Sequence, residues 1–284
     1  MVAALCVRAL GPERVIGLFM PDKDSSPESL DLARLLASRL GIRHETVDLG
    51  PALEAMGCYG FRDAAVRSVV PEFGPGWRSK IVLPPISDRA RLNVFHVVAQ
   101  PPKGETVSAR LPLEAYLEVV AASNMKQRMR TLTEYFHAER HHFAVAGTPN
   151  RLEYDQGFFV KGGDGLADFK PIAHLYKTQV YALAAELGVP EEIRRRPPTT
   201  DTYSMPQSQE EFYFALPYDR MDLCLWAHNH GVPAAEAAPV VGITEAQVRH
   251  VYEDIESKRR TTRYLHLLPV LVEEVPEISR HSGR

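Results

Sequence analysis

The sequence predicts an α/β fold: a mostly parallel sheet with helices on both faces, a Rossmann-like architecture with an inserted hairpin-containing segment and a helical C-terminal region. Three observations predict it. Val15-Ile-Gly-Leu-Phe-Met20 is a short continuous apolar run, the pattern of a strand covered on both faces. A helical pattern follows it, and Ile42 to Leu49 then reads as the next strand. Strand, helix and strand in that order form a right-handed crossover unit.

The first residues, Met1 to Leu10, read as a helix closed by Gly11 and Pro12. The helix after the first strand starts at Ser25 or Ser26, with Pro27 in its first turn and Glu28 placed to complete a capping box from Ser25. Leu32, Leu35, Leu36 and Leu40 are expected on its buried face, and Gly41 ends it. Residues 51–118 break the rhythm with many prolines and glycines. Within them, Leu92 to Ala99 and Thr106 to Leu111 flank Pro101-Pro-Lys-Gly-Glu105 as a hairpin, read as an insertion or lid. From Leu113 a helix runs through about Glu139. Phe143-Ala-Val-Ala146 is then expected as a strand delivering Gly147-Thr-Pro-Asn150 to its C-terminal end, where open α/β sheets bind ligands. Leu175 to Leu187 forms a helix with Val180, Leu183, Ala184 and Leu187 on one face. Residues 205–265 read as helical and 266–284 as a tail, the whole being one domain over 1–284.

Bulk properties bound the function. The 284 residues are 45% hydrophobic and 24% charged with a net charge of −3, which suits a globular protein without general attraction to nucleic acid. Cys6, Cys58 and Cys224 are too far apart for a disulfide framework or a zinc pair, so a reducing, cytoplasmic setting is expected. No apolar run reaches the roughly 18 residues of a membrane span. Met1 to Leu10 is also too short, and lacks the basic start, for a signal segment.

Between Asn124 and Asp201 the chain gathers acidic and basic residues interleaved with glycines. Phe158-Phe-Val-Lys-Gly-Gly-Asp-Gly165 is apolar, then basic, then glycine-rich, a composition that brings backbone N–H groups and a lysine to a phosphate. Glu153, a few residues past a strand end, is placed to hold Mg²⁺ on a nucleotide. Composition alone fits a solvated surface loop equally well. Lys161 and Lys177 then read as surface lysines, Glu153 as a salt-bridge partner of Arg151 or a neighbour, and Thr199 as a loop residue after two prolines.

The order of motifs is more specific. Asn124-Met-Lys-Gln-Arg128, Gly147-Thr-Pro-Asn-Arg-Leu-Glu153, Gly157-Phe-Phe-Val-Lys161, Gly163-Asp-Gly165 with Asp168, and Pro171-Ile-Ala-His-Leu-Tyr-Lys177 follow one another. Pro197-Pro-Thr-Thr-Asp201 and Lys258-Arg-Arg260 complete the series. This succession resembles the NAD synthetase family from about Val2 to Arg260, with 51–118 the least similar part. The resemblance implies ATP-dependent amidation of deamido-NAD by ammonia through an acyl-adenylate, with release of AMP and pyrophosphate. It places Thr148, Lys177 and Thr199 at ATP, Glu153 at Mg²⁺, and Arg128, Lys161, Asp168, Ser257 and Lys258 at deamido-NAD. Asp201 falls on the loop that closes over the reacting centre and is the candidate catalytic residue. A homodimer is implied. Nothing resembles a nitrilase-type glutaminase domain, so free ammonia or a separate glutaminase partner supplies the nitrogen.

The chain also departs from the family. A Ser-Gly-Gly-x-Asp-Ser loop is expected between a first strand and the first helix, whereas Met1-Val-Ala-Ala-Leu5 resembles the helix just after it. Either the true start lies upstream or the loop, with much of the catalysis, is lost. Gly162, Thr200 and Ser257 stand where the family often has an aromatic, an alanine and a histidine. Three other readings remain at this point: a non-catalytic dinucleotide-binding protein, an amide synthetase for another carboxylate, and a DNA-binding module. The last rests on the helix-turn-helix cadence of Val232 to Arg249, against which stand Glu245, Glu253 and Asp254.

Overall fold

The computed structural model describes residues 1–82, 95–199, 202–208, 213–214, 216–273 and 275. Helix α1 (Val2–Leu10) leads into β1 (Ile16–Phe19), α2 (Pro27–Leu40) and β2 (Arg43–Thr46). β1 and β2 pair in parallel, Ile16 opposite Arg43 through Phe19 opposite Thr46, so the expected crossover unit is present. Phe19, Ala37 and Ile42 form its buried core, joined by Ala3, Val7, Leu30 and Ala33. The buried face of α2 therefore centres on Ala37, and Leu35 points outward at 40% exposure. The expected capping box is replaced as well. Ser25 is engaged elsewhere, its Oγ accepting the Asp22 N–H at 3.1 Å, while Glu28 faces Arg196 at 3.7 Å.

Two short helices, α3 (Gly50–Ala55) and α4 (Cys58–Arg67), precede β3 (Arg78–Val82). β4 (His96–Gln100) and β5 (Val107–Arg110) form the expected hairpin, residues 92–94 of its expected first arm lying outside the described residues, and β3 adds to β4 to make a three-stranded antiparallel sheet. This sheet shares one core with α4 and with α5 (Leu113–His141): Val66, Ile81, Val97 and Ala99 pack with Val119 and Tyr203. Ile81 and Val97 are 1% and 0% exposed. Each such side chain contributes about 1.5–3 kcal/mol by burial, so swinging the sheet away as a body costs several times thermal energy.

Phe143 to Ala146 contributes a single parallel bridge, Ala146 to Phe169, rather than a strand among the described residues. A cavity of about 670 Å³ is lined both by this segment and by Val15 and by Ile16 and Leu18 of β1, and among the described residues the two backbones do not pair with each other. Past it lie α6 (Arg151–Gln156), α7 (Lys177–Glu186) and the short α8 (Glu191–Arg194).

The C-terminal region is helical as expected: α9 (Tyr218–Asn229), α10 (Ala234–Val241) and α11 (Glu245–Thr262). Met221, Leu225, Val241, Val251 and Ile255 pack with Leu152 of α6 in one core. The helix-turn-helix cadence thus corresponds to a real pair, α10 and α11, whose apolar faces are turned inward. Cations of α11 are paired with carboxylates: Arg249 with Glu245, Lys258 with Asp254, and Arg259 with Asp155. No helix among the described residues is long and apolar enough to cross a membrane.

Candidate active site

A cavity of about 580 Å³ opens between the middle of α5, the 148–165 segment and the C-terminal end of α11. Arg128, Thr148, Glu153 and Lys161 line it together. Local chemistry explains their placement. Asn150 caps α6, its Oδ1 accepting the N–H of Leu152 at 2.9 Å and of Glu153 at 3.3 Å. Glu153 answers by accepting the Asn150 N–H at 2.8 Å, a reciprocal capping box that holds its carboxylate at the cavity wall. This cap fixes the position of Glu153 at the start of α6.

Lys161 bridges the wall to the chain end. Its Nζ donates to the carbonyls of Tyr264 at 3.0 Å and Leu267 at 3.4 Å, and lies 5.9 Å from the Tyr264 ring centroid. Arg128 donates from Nε to the Lys161 carbonyl at 3.3 Å, leaving an exposed guanidinium beside the cavity. Tyr116, Phe158, Tyr203, Tyr213 and Tyr264 add aromatic surface. Such rings suit a flat heterocycle, and the two cations suit phosphate or carboxylate oxygens.

Asp164 also lines this cavity and has no assigned part in the sequence reading. Burial pushes its carboxyl up to about 6, the Val160 N–H bond lowering it and the charge of Glu153 raising it further. Glu134 is raised too, by burial first and then by Asp164. The signal for Asp164 was its place between Gly163 and Gly165, where the chain turns back toward Val160 and the Val160 N–H donates to Asp164 at 2.8 Å.

The remaining candidates lie elsewhere. Thr199 lines a second cavity of about 1030 Å³ with Lys23, Arg195, Arg196 and Ser204, and Tyr203 borders both cavities. Lys177 starts α7, its ammonium 5.1 Å from the Tyr218 ring. Asp168 accepts the Val145 N–H at 2.7 Å and the Tyr135 hydroxyl at 3.3 Å. Lys258 sits behind the wall, donating to the Tyr213 carbonyl at 2.6 Å and to Asp254 at 2.7 Å. Ser257 accepts from Arg260 at 3.5 Å on α11. None of Asp168, Lys177, Ser257 and Lys258 lines the first cavity. Asp201 lies outside the described residues.

The chain matches the family model described as NAD synthase over residues 1–103 and 102–263, nearly its whole length. It belongs to the NAD synthase family. Its relatives include the NH(3)-dependent NAD(+) synthetase of Rhizobium meliloti (strain 1021), 59% identical over 97% of this chain and 82% of the relative. The enzyme of the same name from Mesorhizobium japonicum is 57% identical over 98% of this chain and 87% of its own length. Among solved structures, an NMN synthetase from Francisella tularensis superposes with a TM-score of 0.60 at 20% identity, covering 95% of this chain and 82% of that one. An NH3-dependent NAD synthetase from Campylobacter jejuni gives a TM-score of 0.59 at 19% identity, over 96% and 83% of the two chains. These two likenesses establish the NAD synthase α/β fold for the chain and no more than the fold.

Proposed function

We propose that this chain is an ammonia-dependent NAD synthetase, a ligase that amidates deamido-NAD at the expense of ATP. The observation that carries the reading is the convergence of Arg128, Thr148, Glu153 and Lys161 on one aromatic-walled cavity in a chain of this family. A carboxylate is a poor electrophile. Its oxygen attacks the α-phosphorus of ATP and expels pyrophosphate, giving a mixed anhydride with AMP. Ammonia then attacks the acyl carbon, and AMP leaves as NAD forms. In such a reaction the protein positions the reactants and neutralises charge.

Arg128 and Lys161 hold the dinucleotide's anionic oxygens, and Tyr116 or Tyr213 offers a face to the pyridine ring. Thr148, with Lys177 and Thr199, serves ATP from the neighbouring segments. Asp168, Ser257 and Lys258 are assigned to deamido-NAD as well, Lys258 also donating to the carbonyl of Tyr213, which borders the cavity. Asp201 remains the candidate on the closing loop. The carboxylate oxygens of Glu153, with Asp164 nearby, are the hard donors that Mg²⁺ takes; burial chiefly raises the Asp164 carboxyl, and the smaller repulsion from Glu153 would be relieved by a cation. Mg²⁺ would supply charge neutralisation on the ATP phosphates. The same reading makes the protein a cytoplasmic homodimer fed by free ammonia or a separate glutaminase. The exposed Leu113, Leu117, Leu132 and Phe136 of α5 support an interface, and the three free cysteines suit a reducing compartment.

The test is to incubate the chain with ATP, Mg²⁺, deamido-NAD and ammonium, and to measure NAD and AMP. Equal amounts of both are expected, with Arg128→Ala and Lys161→Ala raising KM for deamido-NAD. A chain that neither binds deamido-NAD calorimetrically nor forms NAD overturns the reading.

A further inference from the structure

Far along α5 from Arg128, two histidines one helical turn apart face the edge strand β2. His137 and His141 stand at i and i+4, the spacing that puts two imidazoles on one helix face. Glu45 of β2 reaches between them. Its Oε2 lies 3.4 Å from His137 Nδ1, and its Oε1 lies 3.4 Å from His141 Nε2. The three ligand atoms all lie within 4.8 Å of one another. Two donors on a tetrahedral ion with bonds near 2.0–2.1 Å are separated by about 3.3 Å. Both carboxylate–imidazole distances already match that edge.

A second, independent observation points the same way. His137 is 5% exposed, and among the described residues its buried Nδ1 makes no hydrogen bond, although Glu45 Oε2 lies 3.4 Å away. A buried, unpartnered ring nitrogen is the exception in folded proteins and calls for an explanation. The rings are also held in place, His137 edge-on to Phe136 at 5.1 Å and His141 6.0 Å from Phe143.

We propose that Glu45, His137 and His141 form a binding site for a divalent transition-metal ion of the zinc class, clamping β2 to α5. Two neutral imidazoles and one carboxylate favour such an ion over Mg²⁺ or Ca²⁺, which take oxygen donors. Three protein ligands leave a fourth position for water. One group opposes the ion. Arg140 donates to Glu45 Oε1 at 2.9 Å and approaches His141 Nε2 at 3.3 Å. Its side chain is 50% exposed and can swing into solvent to make way for the ion. The site shares no residue with the cavity assigned to the amidation reaction and stands independently of that reading.

The experiment uses the full chain, stripped with a chelator and titrated with Co²⁺ by absorption spectroscopy and with Zn²⁺ by calorimetry. One equivalent per chain is expected, with the visible bands of tetrahedral nitrogen and oxygen coordination. His141→Ala and Glu45→Gln change partly exposed positions, and circular dichroism checks that they fold. Each is expected to weaken binding by about tenfold or more, whereas Arg140→Ala tightens it. Affinity unchanged in both His141→Ala and Glu45→Gln, or no stoichiometric site in the parent chain, overturns the proposal.

Discussion

Lys126 and Asp22, 104 residues apart in the chain, form an ion pair at 3.3 Å in which the lysine is 1% exposed. The other oxygen of Asp22 accepts from Arg130 at 2.9 Å. Lys126 also donates to Asp24, which Arg62 shares, and to the Thr202 carbonyl at 3.0 Å. One ammonium thus ties α5, which carries Arg128, to the turn after β1 and to the 202–204 segment beside both cavities. Removing one member of a buried charge set leaves the others desolvated and unbalanced, typically at a cost of about 3–5 kcal/mol. Lys126→Met is therefore expected to lower the urea midpoint strongly with an unchanged m-value. A loss under about 1 kcal/mol would show that Arg62 and Arg130 suffice without it.

Gly157 and Gly162 both have a left-handed φ, 73° and 71°, but different surroundings. A Cβ on Gly157 would stand 2.3 Å from Thr262 Cβ at the end of α11, whereas one on Gly162 meets nothing within 4 Å. Gly162→Ala thus carries only the left-handed backbone penalty, about 1–2 kcal/mol. Gly157→Ala carries that penalty and also pushes Thr262 and the following Tyr264 off the cavity. The KM for deamido-NAD is expected to rise in Gly157→Ala and to stay near the parent value in Gly162→Ala. Equal effects in steady-state kinetics would contradict the account.

The parts of this structure legible in the sequence are those set by local chemistry. The apolar run at Val15, the stop at Gly41 and the helix expected from Leu113 to about Glu139 each report a local preference, and the elements appear within a few residues of their expected ends. Phe143 to Ala146 looks like a strand by the same criterion, yet forms one bridge, because strand formation depends on a partner that the segment's own residues do not specify. Ser25 and Glu28 had the spacing of a capping box, but the Asp22 N–H competed for the hydroxyl. In the site, Arg128, Thr148, Glu153 and Lys161 were legible as motif residues. Lys126 was not singled out for burial, since its desolvation depends on carboxylates a hundred residues away. The Glu45, His137 and His141 group needs the contact of β2 with α5, which no spacing in the sequence reveals.

Asp164 gives a pH dependence of known sign. Its folded-state carboxyl titrates at about 6, against 3.8 for an unperturbed aspartate. The folded chain therefore binds this proton more tightly than the unfolded one, and stability falls as pH rises from about 4 through about 6. A shift of that size corresponds to roughly 3 kcal/mol at most. In metal-free protein, Asp164→Asn is expected to raise stability at pH 7 and to flatten this part of the profile. Denaturant melts between pH 4 and 7.5 check it. A variant as pH-dependent as the parent would place the titration on another group, with Glu134 the nearest alternative.

Asp222 offers a way to separate support from ligand binding at Lys177. Its buried carboxylate accepts the backbone N–H of Lys177 at 3.2 Å and of Thr178 at 2.7 Å, capping α7 from 44 residues away. Burial raises its carboxyl, and the hydrogen bonds from Thr178 and Lys177 pull it back down. Asp222→Ala leaves two helix-end donors without their acceptor, at about 1–3 kcal/mol, and loosens the turn that carries the Lys177 ammonium over the Tyr218 ring. Lys177→Ala keeps the cap and removes the ammonium with its contact to the Tyr218 ring. If Lys177 meets the ATP phosphates, both variants raise KM for ATP, but only Asp222→Ala lowers the melting temperature appreciably. An unchanged KM for ATP in Lys177→Ala, with Asp222→Ala merely less stable, would reduce this lysine to a surface residue and leave ATP to Thr148 and Thr199.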